Sequence, residues 1–330
     1  MALEALADTR VVVVNGARQV GKSTLAKLIV ERSPEARELY LDDPAVRAAA
    51  ESDPSAFVRH DGLLLIDEIQ RVPELLLPIK RDVDRDTRPG RFLLTGSARL
   101  LGLRDLPDAL PGRTETIELW PLSQGEIDGA PDGFVDAVFG HGAEVSLPAC
   151  ELTKHDYVAR ALRGGYPEAV RRDPGRRRAR FFDSYVTDLV TRDVRQISDI
   201  ERPAEMRRLL SMVAARMGTL AVVQSMANAV GLPRMTLSRY LDLLELVFVI
   251  RRVPAWSSNL TTRAISTPKL ILTDSGLGGR LVGLSEERAK DPTALVGPLL
   301  ENFAIGEVAR QLSWAEEPAQ LFHYRDRDKV

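Results

Sequence analysis

The stretch that decides the fold runs from Val11 to Thr24 and reads Val-Val-Val-Val-Asn-Gly-Ala-Arg-Gln-Val-Gly-Lys-Ser-Thr. Its four consecutive valines, Val11 to Val14, predict a strand buried on both faces, as in a parallel sheet. The spacing Gly-x-x-x-x-Gly-Lys-Ser follows at once, and an amphipathic run from Thr24 to Arg32 predicts a helix directly after it. Strand, glycine loop and helix in this order indicate a phosphate-binding loop rather than a chance glycine turn.

The residue types of this loop suit phosphate chemistry. Gly16 and Gly21 permit backbone conformations and close approaches that a Cβ would block. The loop amides and the positive end of the following helix are expected to bind β- and γ-phosphates. Lys22 would neutralise phosphate charge, and the Ser23 hydroxyl would ligate Mg²⁺. The residues assigned to phosphate binding are Gly16, Ala17, Arg18, Gln19, Val20, Gly21, Lys22, Ser23 and Thr24.

Composition and charge narrow the class of protein. The 330 residues allow two or three domains, and 44% hydrophobic with 28% charged residues is typical of globular proteins. With a single cysteine, Cys150, no signal-peptide pattern and no membrane-length apolar run, a cytoplasmic protein without membrane contact is predicted. Residues 1–150 carry 17 Lys and Arg against 25 Asp and Glu, whereas residues 151–260 carry 19 against 12. The basic section indicates either an anionic partner or solvated helix faces.

Alternating strands and helices in the first section predict an α/β fold with a parallel sheet and helices on both faces. Two of its apolar strands end in polar residues, one in Asp67 and Glu68 and the other in Ser97. Ligands of open parallel sheets bind beyond the carboxyl ends of the strands. Asp67 is therefore predicted to hold Mg²⁺, Glu68 to act as general base toward the attacking water, and Ser97 to hydrogen-bond that water or the γ-phosphate.

These motifs and several later ones resemble the prokaryotic AAA-type P-loop ATPases that carry a C-terminal domain of unknown function. The segments that carry the resemblance are residues 16–24, 64–70, 93–101, 110–123, 163–168, 185–193, 236–253, 268–277 and 297–307. The resemblance implies Mg²⁺-dependent binding and hydrolysis of ATP, with Lys22 and Ser23 on phosphate and metal, and Ser97 at the sensor position. It also implies a restriction-endonuclease-like C-terminal fold, expected here to be truncated at Val330 without a complete nuclease site.

Arg113 lies in Pro-Gly-Arg, where such families keep an arginine. One interpretation is a catalytic arginine that meets the γ-phosphate, either in cis or from a neighbouring subunit of a homo-oligomer. The other is a surface arginine beside a turn. A further departure from the family pattern is Ala98, which stands where a second serine is common.

The middle section is predicted to be helical, and residues 222–256 have the helix, glycine turn, helix and strand order of a winged helix. Its second helix would expose Arg234, Thr236, Ser238, Arg239 and Asp242. This pattern is compatible with two functions, binding of DNA and docking of a protein. Asp274 is interpreted as a helix N-cap or turn residue rather than a catalytic group.

Four domains are predicted: an AAA-type ATPase domain (1–125), a helical linker or lid (126–200), a winged-helix-like domain (201–260) and a partial C-terminal domain (261–330). The predicted function is ATP hydrolysis coupled to a helical region that binds a partner. The alternative is a nucleotide-switched DNA-binding regulator with slow hydrolysis. A kinase ranks third, because no basic lid over the phosphates is evident.

Overall fold

The structure is a computed structural model that describes residues 1–97, 110–130, 132–146, 150–193 and 203–324. The chain forms two compact units, Met1–Trp120 and Pro121–Val330. Two points of the sequence analysis concern residues outside these ranges: the departure at Ala98 and the expected truncation at Val330.

The first unit is built on a parallel sheet. Its strands are β1 (Val11–Gly16), β2 (Arg37–Tyr40), β3 (Leu64–Asp67), β4 (Phe92–Gly96) and β5 (Thr114–Leu119). They are hydrogen-bonded in the order β2-β3-β4-β1-β5, and the pairings are parallel. The predicted fold class, a parallel α/β sheet of the P-loop type followed by a helical region, is confirmed.

The valines of β1 alternate between two hydrophobic layers, one on each face of the sheet. Val11 and Val13 pack into the layer that contains Ile79 and Val83, whereas Val12 and Val14 pack into the layer that contains Ile29. Burial of a valine contributes about 1.5–3 kcal/mol relative to its exposure. The run of valines therefore holds β1 at the centre of the unit and places the following loop at the edge of the sheet.

Helices cover both faces of this sheet. They are α1 (Ala2–Asp8), α2 (Lys22–Val30), α3 (Pro44–Ser52), α4 (Pro54–Phe57) and α5 (Leu76–Arg85), with 3-10 turns at Ile69–Arg71 and Pro73–Leu75. Asp43 caps α3 by accepting a hydrogen bond from the Ala45 amide, and Pro44 occupies the first helical position. An aspartate cap followed by proline is a common start of a helix, so these two residues determine where α3 begins.

The second unit is mostly helical. Its elements are α6 (Gln124–Asp128), α7 (Phe134–His141), α8 (Lys154–Arg163), α9 (Pro167–Val170), α10 (Arg176–Asp188), α11 (Pro203–Ala215), α12 (Val223–Val230), α13 (Arg234–Leu246), β6 (Ile250–Val253), α14 (Leu260–Ile265), β7 (Lys269–Leu272), α15 (Ser275–Leu281) and α16 (Val296–Gln311). A π-helical segment, Leu189–Asp193, continues α10, and β6 pairs with β7 in antiparallel register. In the parts of the chain described above, no helix is both long and apolar enough to cross a membrane.

The predicted division at residues 200 and 260 differs from the observed packing. Strand β7 pairs with β6 across the boundary at 260, and Ser275 of α15 donates a hydrogen bond to the Ala161 carbonyl of α8. From α16, Arg310 donates to the Pro121 carbonyl at 2.7 Å. The described residues after 260 therefore pack into the same compact unit as the helices that precede them.

Candidate functional site

The glycine loop joins β1 to α2 at the carboxyl edge of the sheet. A Cβ added at Gly16 would lie 2.3 Å from the Leu119 carbonyl oxygen, so no other residue fits between β1 and β5. Gly21 adopts a φ of 105°, a conformation that favours glycine. Helix α2 begins at Lys22 without a side-chain cap, so the amides of its first turn are unpaired within the helix and suit an anion.

Lys22 lies folded over this loop and is 5% exposed. Its ammonium donates to the carbonyls of Gly16, at 3.1 Å, and Ala17, at 2.9 Å. Both acceptors are carbonyl oxygens of the loop, so these hydrogen bonds hold the buried ammonium at the loop. The predicted role of Lys22 in binding phosphate fits this position.

Ser23 and Asp67 are brought together although 44 positions separate them. The Ser23 hydroxyl lies 3.1 Å from each oxygen of the buried Asp67 carboxylate. A hydroxyl and a carboxylate are hard oxygen ligands of the kind Mg²⁺ prefers, and Mg²⁺ keeps several waters in such sites. The two residues predicted to hold the metal therefore fit it.

Thr95 supports this pair and was missed by the sequence reasoning. Its hydroxyl donates to Asp67 at 2.5 Å and accepts from the Glu68 amide at 3.1 Å. Strand β4 lies between β1 and β3, which places Thr95 beside Asp67. A sequence signal existed, since Thr95 precedes Ser97 by two residues and alternate residues of a strand share a face.

Glu68 lies at the entrance to the first 3-10 turn with a φ of 59°, in the left-handed region. Its carboxylate accepts a hydrogen bond from the Gln70 amide nitrogen, and the Ser97 hydroxyl lies 3.4 Å from the same oxygen. Gln70 also donates to the Ser97 oxygen at 3.0 Å. The structure thus brings Glu68 and Ser97 together as predicted and adds Gln70, which no local pattern singled out.

Arg113 is not close to these residues. It lies just before β5, and its carbonyl accepts from the Val11 amide at the start of β1, whereas the glycine loop follows the end of that strand. The six residues of β1 separate the two edges by about 17 Å, at ~3.3 Å per residue. Its guanidinium pairs with both oxygens of Asp84. The interpretation in cis is therefore wrong for this geometry, while action on a neighbouring subunit stays a prediction.

The predicted winged-helix residues lie on α13. Arg234 and Arg239 are exposed and Thr236 and Ser238 are half-buried. Asp242 is bound by the Arg252 guanidinium at 2.7 Å. Within residues 222–256, α12, the turn at Gly231 and α13 are followed by β6, which is the element order predicted for this segment, while a winged helix stays a prediction.

Later motifs form a buried hydrogen-bonded network in the second unit. One Asp274 carboxylate oxygen accepts from the Leu277 amide and the other from the Gly165 amide, each at 2.7 Å. Burial raises the pKa of the Asp274 carboxyl, while these amides and the Arg310 guanidinium oppose the rise. Asp274 is therefore the N-cap of α15, as interpreted from the sequence, and its contacts are structural. Within the described residues, no three His, Cys, Asp or Glu side chains form a metal-binding group.

The glycine loop, the strand-end carboxylate and the parallel sheet define a P-loop fold that binds nucleoside triphosphates. Residues 8–128 match the family model described as an AAA domain, so the first unit carries an AAA-type domain. Residues 154–288 match the model described as a domain of unknown function (DUF8612). The second match crosses both predicted boundaries, at 200 and 260, and lends no support to a restriction-endonuclease-like tail.

The relatives found by sequence are two uncharacterized proteins, from Mycobacterium tuberculosis and Mycobacterium bovis. Each is 31% identical over 324 residues, which cover 97% of this chain and 66% of the relative. The chain thus spans slightly less than two thirds of the length of these relatives.

Two solved structures illustrate the more distant similarities. A RuvB protein of Thermotoga maritima is 21% identical, over 77% of this chain and 86% of that one, with a TM-score of 0.33. A signal transduction ATPase (STAND protein) with a tetratricopeptide repeat sensor, from Pyrococcus horikoshii, is 12% identical, over 92% and 46%, with a TM-score of 0.28. Such TM-scores do not establish a shared fold, so the class rests on the sheet, the loop and the AAA family model.

Proposed function

We propose that the first unit binds ATP with Mg²⁺ and hydrolyses it. The observation that carries this proposal is the contact between the Ser23 hydroxyl and the Asp67 carboxylate at the mouth of the glycine loop. The AAA family match over residues 8–128 supports ATP as the nucleotide. A cytoplasmic location remains a prediction from composition.

The roles of the residues follow from their chemistry. When bound, Mg²⁺ neutralises charge on the β- and γ-phosphates, and Ser23 and Asp67 are the residues that would hold it. Lys22 exchanges its carbonyl acceptors for phosphate oxygens. Glu68 accepts a proton from the attacking water as the water oxygen bonds to the γ-phosphorus and the bond to ADP breaks. In a homo-oligomer, Arg113 of each subunit would add positive charge at a neighbouring site.

Two substitutions test the proposal by separating binding from chemistry. Glu68→Gln should bind ATP like the parent and lose turnover by about 10²- to 10⁴-fold, because a general base contributes that much. Lys22→Ala should lose binding itself. Phosphate release and the affinity for a fluorescent ATP analogue measure the two properties.

The matched control is Glu74→Gln, which neutralises an exposed carboxylate outside the site and should turn over at the parent rate. Parent-level turnover in Glu68→Gln would show that Glu68 is not the base. A parent protein that binds no ATP would end the proposal altogether.

A second candidate, a nucleotide-switched regulator that binds DNA, is favoured by the charge of α10. Arg176, Arg177 and Arg180 are exposed on this helix and have no ion-pair partner in the described part of the chain. Arg176 and Arg177 lie in the first turn of this helix, which contains no acidic residue. The N-terminal end of a helix carries a partial positive charge, so it repels these two cations. A phosphate backbone would relieve the repulsion between these arginines and the helix N-terminus, and the winged-helix order predicted for residues 222–256 is compatible with DNA.

A further inference from the structure

We propose that an ion pair between Arg71 and Asp42 positions the Glu68 carboxylate for its role as general base. This inference rests on the proposed ATPase function and adds two positioning residues to the same site. It follows from three observations: the place of the ion pair at the carboxyl edge of the sheet, the anchoring of the turn that follows Glu68, and the backbone conformation of Glu68.

The ion pair lies where β2 and β3 end side by side. The last hydrogen bond between these strands runs from the Leu41 amide to the Asp67 carbonyl, at 3.3 Å. Asp42 is the next residue after the first of these positions, and Glu68 is the next after the second. The Arg71 guanidinium pairs with the Asp42 carboxylate. The pair therefore lies at the same edge of the sheet as the proposed general base.

The short turn that follows β3 is anchored at both of its ends. At its start, the Glu68 amide donates to the Thr95 hydroxyl at 3.1 Å. At its end, the Arg71 amide donates to the Glu68 carbonyl at 2.9 Å, while the guanidinium of the same residue is held by Asp42. The proposed general base thus lies between a strand end fixed by β4 and a turn end fixed to β2.

The backbone of Glu68 explains why this turn needs an anchor. Glu68 has a φ of 59°, a left-handed conformation that is costly for a residue other than glycine and persists only where surrounding contacts hold it. Relaxation to a negative φ would change the direction of its Cα–Cβ bond and move its carboxylate from Ser97, whose hydroxyl lies 3.4 Å away. Because Arg71 ties the end of the turn to Asp42, the ion pair opposes this relaxation.

The exposure of the pair indicates which property of the protein it affects. The Asp42 side chain is 63% exposed and that of Arg71 is 28% exposed. Ion pairs with exposed members contribute little to the free energy of unfolding. The segment around them is held to the core independently, because Ile69 and Val72 are buried in one hydrophobic layer of the sheet. Loss of the pair should therefore leave the unit folded and alter the position of Glu68.

The test compares Asp42→Asn and Arg71→Met with the parent protein. Each substitution removes one charge of the pair and keeps most of the side-chain volume. We expect kcat to fall on the order of 10-fold in both, with the KM for ATP and the affinity for an ATP analogue unchanged, because a small displacement of a catalytic group slows the chemical step. Arg71→Lys, which retains the charge, should recover part of the loss. Asp183→Asn breaks a comparably exposed ion pair, with Arg280, and should leave kcat at the parent value.

Two double variants distinguish positioning from a structural role. Asp42→Asn combined with Arg71→Met should lose no more kcat than either change alone, because both remove the same contact. Arg71→Met added to Glu68→Gln should reduce turnover little further, since Arg71 acts through Glu68. Parent kcat in Asp42→Asn, losses that multiply in either double variant, or lowered ATP affinity as the only defect would overturn the inference while leaving ATPase activity intact. Absence of turnover in the parent protein would instead remove the proposed function on which the inference rests.

Discussion

At the scale of single residues, the site is held by hydroxyl and amide groups around two carboxylates. Ser23 and Thr95 contact Asp67, while Gln70 and Ser97 contact Glu68. A side chain that hydrogen-bonds to a metal ligand or to a general base restricts the rotamers of that ligand or base. Substitution of such a side chain generally lowers metal affinity or activity strongly. We therefore expect substitutions of the residues next to the carboxylates to reduce activity nearly as much as substitutions of the carboxylates themselves.

Thr95 provides a prediction at this scale. Thr95→Val keeps the shape of the side chain but removes the hydroxyl that donates to Asp67 and accepts from the Glu68 amide. We expect the Mg²⁺ concentration needed for half-maximal ATPase activity to rise about 10- to 100-fold. A titration of activity with Mg²⁺ measures the change.

Thr95→Ser is the control for this substitution, because it retains the hydroxyl and should stay close to the parent protein. Equal Mg²⁺ dependence in Thr95→Val and the parent would mean that Thr95 does not position Asp67.

At the scale of elements, helix ends determine where the chain turns in both units. Gly21 is the N-cap of α2 and has no side chain, so the amides of the first turn stay available to a ligand. Asp274 is the N-cap of α15: one carboxylate oxygen accepts from the Leu277 amide and the other from the Gly165 amide. The first helix end suits a ligand and the second is satisfied within the protein. The difference explains why the start of α2 belongs to the candidate site and the start of α15 to the core.

Asp274→Asn is predicted to destabilise the second unit. Both carboxylate oxygens accept backbone amides, and an asparagine has only one oxygen, so its NH₂ group would face an N–H donor. We expect a loss of about 1–3 kcal/mol in the free energy of unfolding. Urea denaturation followed by circular dichroism measures it. A variant as stable as the parent would contradict the bidentate role.

The same substitution has a pH dependence with a defined sign. Burial raises the pKa of the Asp274 carboxyl in the folded state above its unfolded value of about 3.9. Between these two pKa values the folded state binds more protons, so this contribution to stability is present at low pH and is lost as pH rises through the folded pKa. The stability gap between parent and Asp274→Asn should therefore narrow from pH 4 toward neutrality.

At the scale of the whole molecule, the two sections of the chain differ in charge and in chemistry. The proposed ATP site lies in the first unit, whereas the exposed arginines of α10, Arg176, Arg177 and Arg180, lie in the second. A basic surface favours an anionic partner, and its contribution to binding depends on salt because counterions are released from the phosphates.

The prediction at this scale concerns duplex DNA. If α10 contacts the phosphate backbone, the slope of log affinity against log salt should become shallower by about 2–3 when Arg176, Arg177 and Arg180 are all changed to Gln. Fluorescence anisotropy across a salt series measures the slope. The control changes Arg32, Arg59 and Arg85, exposed arginines of the first unit, to Gln and alters net charge equally. An affinity of the parent protein that does not vary with salt would exclude this partner.

The sequence by itself determined the local parts of this protein. The valine run, the glycine spacing, the carboxylates at the end of β3 and the cap of α15 all depend on neighbouring residues, and so periodicity and motif spacing identified them. Ser23 was predicted from the spacing of the glycine loop, and Asp67, Glu68 and Ser97 were predicted from their places at the ends of strands.

Only the tertiary structure decided which residues meet. The position of β4 between β1 and β3 places Thr95 against Asp67 and Ser97 against Gln70 and Glu68, and it is a property of strand order that no local pattern encodes. The same holds for Arg113, whose start-of-strand position puts it at the far edge of the sheet. Tertiary structure also decided that the residues on either side of position 260 pack into one unit. Strands β6 and β7 form backbone hydrogen bonds with each other although 15 residues lie between Val253 and Lys269.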